Sequence, residues 1–297
     1  SGMLSYWGMM SIGSVISLIG FYSNIINPII FYMNYMVSKK SVNPSLDVVN
    51  DILNHKDEGN SNENEKEKEM IFKNKIAVEM SDVCFSYSED KPVLDGFSLK
   101  AEEASIISVR GESGTGKSTI LDLICGFINA NQGEIYYWGN SIKECSIGEI
   151  RKKIGYVSQN PFFFNESILS NMSYVKDKIT EEDLVAINQE CYGLFDDLVD
   201  YYHKPIGLFG EFLSGGMKQK LDIMRLLLSD SDIYIMDEPS SALDAVARNK
   251  LIEVLKKKKQ SGKTIILVTH QDSIGDLADM EYLVQYQRNR VESGICE

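Results

Sequence analysis

Between Val109 and Leu121 the chain reads VRGESGTGKSTIL. Gly111, Gly116, Lys117 and Ser118 stand at the Gly-x-x-x-x-Gly-Lys-Ser spacing, which suits the holding of a nucleotide's phosphates. Glu112, Ser113, Gly114 and Thr115 fill the loop and Thr119 follows it. Backbone N–H groups and a helix N-terminus would point at the phosphates, Lys117 would reach the terminal ones, and the Ser118 hydroxyl could ligate Mg²⁺. Downstream, the apolar run IYIMDE ends in Asp237 and Glu238. At a strand tip beside such a loop, Asp237 is placed to hold a Mg²⁺ shell and Glu238 to polarise an attacking water. A further Gly-rich start, Leu213-Ser214-Gly215-Gly216, opens the stretch MKQKLDIMRLLL. Ser214 can cap that helix, and Gly215 and Gly216 let backbone approach a ligand closely. This is a second anion site. One chain holds one nucleotide, so the second site is expected to serve a neighbour's, which predicts a two-fold dimer with ATP between the subunits.

These residues need elements to place them. Ser105 to Val109 (SIISV) reads as a buried strand and Ser118 to Phe127 as a helix, so the loop has its strand–turn–helix setting. A domain begins near Lys75. Strands are expected at 76–87, 93–99, 133–138, 154–158, 233–236 and 264–268, with a last short pair ending near Glu292. Helices are expected at 166–172, 181–189, 215–228 and 244–259. Strands alternating with helices predict a mostly parallel sheet covered on both faces. There is no internal repeat, so one nucleotide domain is expected.

Ser1-Gly2 ahead of Met3 looks like an expression scar. From Met3 to Ser38 no residue is charged. A membrane-spanning helix needs about 20 apolar residues, so this run has room for one span. Asn24, Asn27 and Asn34 would seek partners on neighbouring helices. Lys39 and Lys40 follow at once and place the C-terminal side in the cytoplasm. Asn43 to Leu53 reads as an amphipathic helix entered through Pro44, and HKDEGNSNENEKEKE, from His55 to Glu69, as a charged mobile linker.

The net charge of −13 opposes a phosphate backbone, so nucleic acid is not an expected partner. Cys84, Cys125, Cys145, Cys191 and Cys296 form no C-x-x-C pair and are read as small apolar side chains in a reduced compartment.

With its motifs in this order the chain resembles an ATP-binding cassette (ABC) ATPase over roughly Ile76 to Gly294. Gly111 to Thr119 stands as the Walker A, Gln159 in YVSQNP as the Q-loop glutamine, and LSGGM (Leu213 to Met217) as the signature. Asp237 and Glu238 match the Walker B pair, Ser241-Ala242-Leu243-Asp244 the D-loop, His270 the switch histidine, and Tyr87 the aromatic that stacks on adenine. The resemblance implies a P-loop α/β fold of ABC type, with an antiparallel β subdomain and a helical signature subdomain, preceded by a transmembrane helix. It implies three regions: 1–38, the end of a transmembrane domain; 39–75, an amphipathic helix and linker; and 76–297, the nucleotide-binding domain. It implies ATP with Tyr87 on adenine, phosphates on Gly114, Gly116 and Lys117, and Mg²⁺ on Ser118, Gln159 and, through water, Asp237. Ser214, Gly215, Gly216 and Asp244 would meet the partner's nucleotide, Glu238 would orient water and His270 would contact the γ-phosphate.

The segment 161–174 (PFFFNESILSNMSY) resembles the exporter stretch on which coupling helices dock, and the N-terminal run resembles an exporter's last transmembrane helix, with Trp7-Gly8 near the end of the preceding one. The expectation is a half-transporter piece, in a plasma membrane with its ATPase in the cytoplasm, exporting an unspecified substrate. A soluble cassette ATPase, or an importer's ATPase subunit, is the alternative. Met217 replaces the signature Gln, Leu208 stands where exporters commonly carry a Glu, and the chain ends without their longer helical tail. For His203 and for Lys256 to Lys259, solvated surface is the expectation.

Overall fold

The computed structural model describes residues 12–54, 74–88, 91–269, 272–284 and 292–295. The chain divides into two compact units, the boundary falling after Glu63. The residues of the expected linker, 55–69, lie outside the described ones, as do His55, Trp7, Gly8, His270 and Cys296.

The first unit holds one helix, α1 (Ile12–Asn54, 43 residues). The sequence suggests a span and then a separate amphipathic helix over Asn43–Leu53, entered through Pro44; the structure joins them. Pro44 and Pro28 both sit inside α1. Each removes one backbone donor while the turns on either side keep theirs, and no glycine lies between Phe21 and Asn54 to end the helix. Within α1, Ile16–Lys40 (25 residues, mean hydropathy 1.4) is long and apolar enough to cross a membrane. Its large side chains, Phe21, Phe31 and Val37 among them, are exposed.

The second unit runs through β1 (Ile76–Ser88), β2 (Lys91–Glu102), β3 (Ile106–Gly111), α2 (Lys117–Ile124), β4 (Gln132–Tyr137), β5 (Asn140–Ser141) and α3 (Ile147–Lys153). It continues with β6 (Ile154–Val157), α4 (Ile168–Ser173), α5 (Glu181–Glu190), α6 (Gly215–Leu228), β7 (Ile233–Asp237) and α7 (Ala245–Gln260). The last elements are β8 (Thr264–Val268), α8 (Asp272–Gly275), β9 (Met280–Val284) and β10 (Glu292–Ile295). An antiparallel sheet has the order β2-β1-β4-β5 and a larger one the order β10-β9-β3-β8-β7-β6. In the larger sheet β9, β3, β8, β7 and β6 are parallel, and only β10 runs against its neighbour.

The parallel strands are near-continuous apolar runs because both faces are covered. Side chains alternate between the faces. Ile106, Tyr234, Met236, Ile265 and Leu267 enter one core with α4, α5, α6 and α7. Ile107, Val109, Ile233, Ile235, Ile266 and Val268 enter the other, with α2 and the antiparallel sheet. The sheet is thus held from both sides, and the C-terminal ends of β3, β7 and β8 come out together. Asp237 pairs in register with Val268, and Val109 with Val268 on the other side of β8. That edge of a parallel sheet is where α/β folds place ligands.

The loops hold elements that the apolar pattern does not announce. The turns at Asp196–Tyr201 and Leu208–Gly210 are 3₁₀. The lysines at the end of α7 are also more engaged than solvated surface requires. Lys258 pairs with Glu190 at 3.0 Å and is largely covered, Lys257 reaches the same carboxylate at 3.6 Å, and Lys259 pairs with Asp279. These acids come from the end of α5 and from the residue just before β9, contacts that helix spacing alone does not reveal. His203 faces Glu181 at 2.8 Å on the surface.

Candidate nucleotide-binding site

β3 delivers the chain into the loop, and α2 leaves it. Gly114 and Gly116 have φ of 82° and 99°, backbone that a side chain strains. A Cβ on Gly116 would also lie 2.8 Å from Val93 Cγ1. Freed from side chains, the loop curls round the Lys117 amine, which donates to the carbonyls of Gly111 at 2.8 Å and Glu112 at 2.7 Å. The Thr115 hydroxyl donates to Glu112 carbonyl at 2.9 Å and braces the turn. Burial lowers the pKa of Lys117, while the Glu238 and Asp237 carboxylates pull it back up.

Ser118 at the start of α2 donates to Asp237 Oδ2 at 2.9 Å, a bond across 119 residues of sequence. Asp237 ends β7 and is buried. Glu238 follows with φ of 51°, uncommon for a residue with a side chain, and its N–H is held by Val268 carbonyl at 2.9 Å. Such outliers gather at working sites. Tyr87 at the end of β1 is mostly exposed; its hydroxyl lies 3.3 Å from Thr119 Oγ1, and Phe85 meets its ring edge-on at 4.8 Å. Together these groups line a cleft of about 520 Å³: Tyr87, Val93, Ser113, Gly114, Gly116, Lys117, Ser118, Thr119, Gln159, Asp237, Glu238, Ser241 and Val268. Gly111, Glu112 and Thr115 form the loop beneath it.

The second helix start is separate. Ser214 caps α6 by accepting from Met217 N–H at 3.2 Å. Gly215 and Gly216 are the first helical residues, and neither they nor Ser214 lines the cleft. A Cβ on Gly216 would stand 2.9 Å from Ala242 carbonyl oxygen, so that position has no room for a side chain. Asp244 likewise lies outside the cleft. It caps α7, accepting from Ala247 N–H at 2.7 Å, and that bond holds its carboxyl below the usual range.

Sequence reasoning passed over Gln219 and Asp222, both buried on α6. Gln219, Asp222, Ile223 and Leu226 occupy one helical stripe, so polar side chains stand where the spacing calls for apolar ones. That anomaly was the available signal. Asp222 accepts from Ser158 N–H, next to Gln159, at 3.0 Å and pairs with Arg225 at 3.2 Å. Burial pushes its pKa up to about 6, against the pull of Arg225. Arg225 also donates to Phe162 carbonyl and stacks over Phe163, which is fully buried. Phe162, Phe164 and Phe209 form an exposed edge-to-face cluster beside it, so the PFFF stretch is part core and part surface.

A glycine-rich loop after a buried parallel strand, with paired carboxylates on a strand tip two places along the sheet, defines a P-loop nucleotide-binding domain. Residues 94–241 match the family model described as ABC transporter. The chain is 34% identical over 219 residues to the "ATP-dependent lipid A-core flippase" of Saccharophagus degradans, covering 73% of this chain and 37% of that protein. It is 34% identical over 217 residues to the "Iron-sulfur clusters transporter ATM1, mitochondrial" of Candida albicans, covering 72% of this chain and 29% of that one. A solved structure, "Structure of a bacterial Atm1-family ABC exporter with ATP bound", shares the fold with a TM-score of 0.74 at 24% identity, over 97% of this chain and 50% of that one. The chain belongs to the ABC transporter family, and its second unit is the ATP hydrolase domain of that family. It spans about a third of the length of these two curated relatives.

Proposed function

We propose that this chain binds Mg-ATP in the cleft, pairs with a second such domain, and hydrolyses ATP to drive export across a plasma membrane, with its ATPase domain in the cytoplasm. One observation carries the reading: the cleft gathers Lys117, Ser118, Gln159, Asp237 and Glu238, while the Ser214–Gly216 helix start stands outside it. A helix start with glycines cleared for close approach suits a nucleotide held by a partner.

The residues suit a magnesium ion. The Ser118 hydroxyl and Asp237 carboxylate already meet at 2.9 Å, and Gln159 lines the same cleft. All three offer oxygen, the donor that a hard cation takes. When bound, the ion would neutralise charge on the phosphates. The chain's own residues supply the rest. The loop N–H groups and Lys117 hold the phosphates, and Tyr87 offers an exposed ring to the base. Glu238 orients the attacking water, and the Ser214–Gly216 backbone of the partner subunit closes on the γ-phosphate. Asp244, as the cap of α7, supports that interface, and His270 is assigned to the γ-phosphate. Positioning and charge stabilisation provide most of the acceleration in this chemistry.

Export rests on Ile16–Lys40, which ends in Lys39 and Lys40 on the cytoplasmic side, and on the names of the relatives. Those names carry different cargoes, so the cargo does not travel with the ATPase domain. The exposed Phe162, Phe164 and Phe209 offer coupling helices of a membrane domain an apolar seat. The net charge of −13 opposes nucleic acid as a partner. The test is ATP turnover by the purified chain in detergent. Activity with Mg²⁺ that disappears with EDTA is expected; turnover that ignores EDTA, or none in either condition, would contradict the reading.

A further inference from the structure

Gln219 lies on the buried side of α6 and is 6% exposed. Its amide is fully engaged. Nε2 donates to Glu238 carbonyl oxygen at 2.7 Å and to Ser241 Oγ at 3.1 Å, and Oε1 accepts from Ala242 N–H at 2.9 Å. The partners fix which way the amide points, since Ala242 offers an N–H and Glu238 a carbonyl. Three bonds from one side chain thus converge on the turn that follows β7.

That turn carries the residue assigned to the water. Glu238 sits at φ 51°, a conformation that strains a residue with a side chain and persists only when its surroundings hold it. Val268 carbonyl holds its N–H, and Gln219 holds its carbonyl. From the other side, Gly216 abuts the carbonyl of Ala242. The segment 238–242 is therefore clasped twice by the opening turns of one helix, the same helix whose start lies outside the chain's own cleft.

We infer that Gln219 is a positioning residue. It sets the backbone orientation of Glu238 and links it to the seating of Ser214–Gly216. When that helix start docks on a nucleotide in a second copy, the shift reaches the chain's own Glu238 through the Gln219 amide. Each site then reads the occupancy of the other through a polar clasp inside one subunit. This inference rests on the proposed hydrolysis and deepens it.

Gln219→Glu in the full chain is the discriminating variant. It keeps shape and the acceptor for Ala242 N–H, and it loses the donor to Glu238 carbonyl. Turnover is expected to fall about 10-fold, the scale of one lost buried hydrogen bond, with KM for ATP within about twofold. In a Glu238→Gln background the same change should add nothing, because both act through one group. Should the variant melt without cooperativity, Gln219→Ala carries the same two readings. A parent-level rate, a loss carried entirely by KM, or a full additional loss on the Glu238→Gln background would each overturn the inference. A parent chain with no Mg²⁺-dependent hydrolysis overturns this and the proposed function together. An active parent silenced by Glu238→Gln yet indifferent at Gln219 overturns this inference alone.

Discussion

The molecule has two glycine-rich helix starts that look alike in sequence and differ in build. At the first, Gly114 and Gly116 take backbone that only glycine enters easily, the loop folds round Lys117, and a cleft opens over it. At the second, Gly215 and Gly216 are ordinary helix, with no lysine cage and no place in the cleft, and Gly216 is shaved to let Ala242 approach. One start lies under a cleft and, on the proposed reading, is a container; the other stands outside the cleft and is the proposed contact surface. The same residue type serves loop curvature in one place and clearance in the other.

The comparison breaks most visibly at the container. Lys117→Ala should reduce ATP turnover by about 100-fold or more and weaken ATP binding in an isolated chain, since the caged amine is the one cation among the cleft's described lining residues. Nucleotide affinity and turnover measured on one preparation check this; an unchanged affinity would take the container reading away. Gly215→Ala, where the added Cβ meets only an ordinary contact at 3.7 Å from Ala242 Cβ, should leave ATP affinity intact while turnover falls about 10-fold, because the proposed contact surface serves a partner's nucleotide. If affinity falls in step with turnover, the two starts are not distinct. Tyr87→Ala should weaken ATP binding about fivefold, on the scale of losing one stacked ring of ~1 kcal/mol, and leave the rate at saturating ATP unchanged. Equal affinity in the variant would put the base elsewhere.

The smallest effect concerns the signature helix itself. Asp222 titrates near pH 6 when folded and in the ordinary carboxylate range when unfolded. Folding therefore binds a proton between those values, and the stability this confers is lost as pH rises through the folded pKa. Between pH 5.5 and 7.5 the parent should lose roughly 1 kcal/mol relative to Asp222→Asn. Thermal midpoints of both chains across that range decide it. Parallel curves would mean that Arg225 and Ser158 keep the carboxylate ionised throughout.

What was legible in the sequence follows from how local each signal is. The phosphate loop, the strand ending at Asp237 and the helix at 215–228 announce themselves because spacing and burial pattern lie within a dozen residues. The 3₁₀ turns do not, since short turns have no period to detect. The continuity of α1 through Pro44 was also hidden, because a proline marks a missing donor and leaves open whether the flanking turns compensate. The clasp at Gln219 spans 19 residues to Glu238 and depends on how α6 lies against β7, a tertiary fact. Its only trace in the sequence is a polar residue on an apolar stripe. Likewise, nothing local reveals that Lys258 would meet Glu190.

The central claim is that a contact surface on one copy completes the container on another. Glu238→Gln keeps the side chain's shape and removes the carboxylate proposed to orient the water, so bound ATP should persist and hold the copies together. Light scattering of that variant in detergent, with and without Mg-ATP, measures it directly. A doubling of protein mass on adding Mg-ATP, reversed by its removal, is the predicted result. A mass that stays at one copy with ATP bound in the cleft would contradict the account.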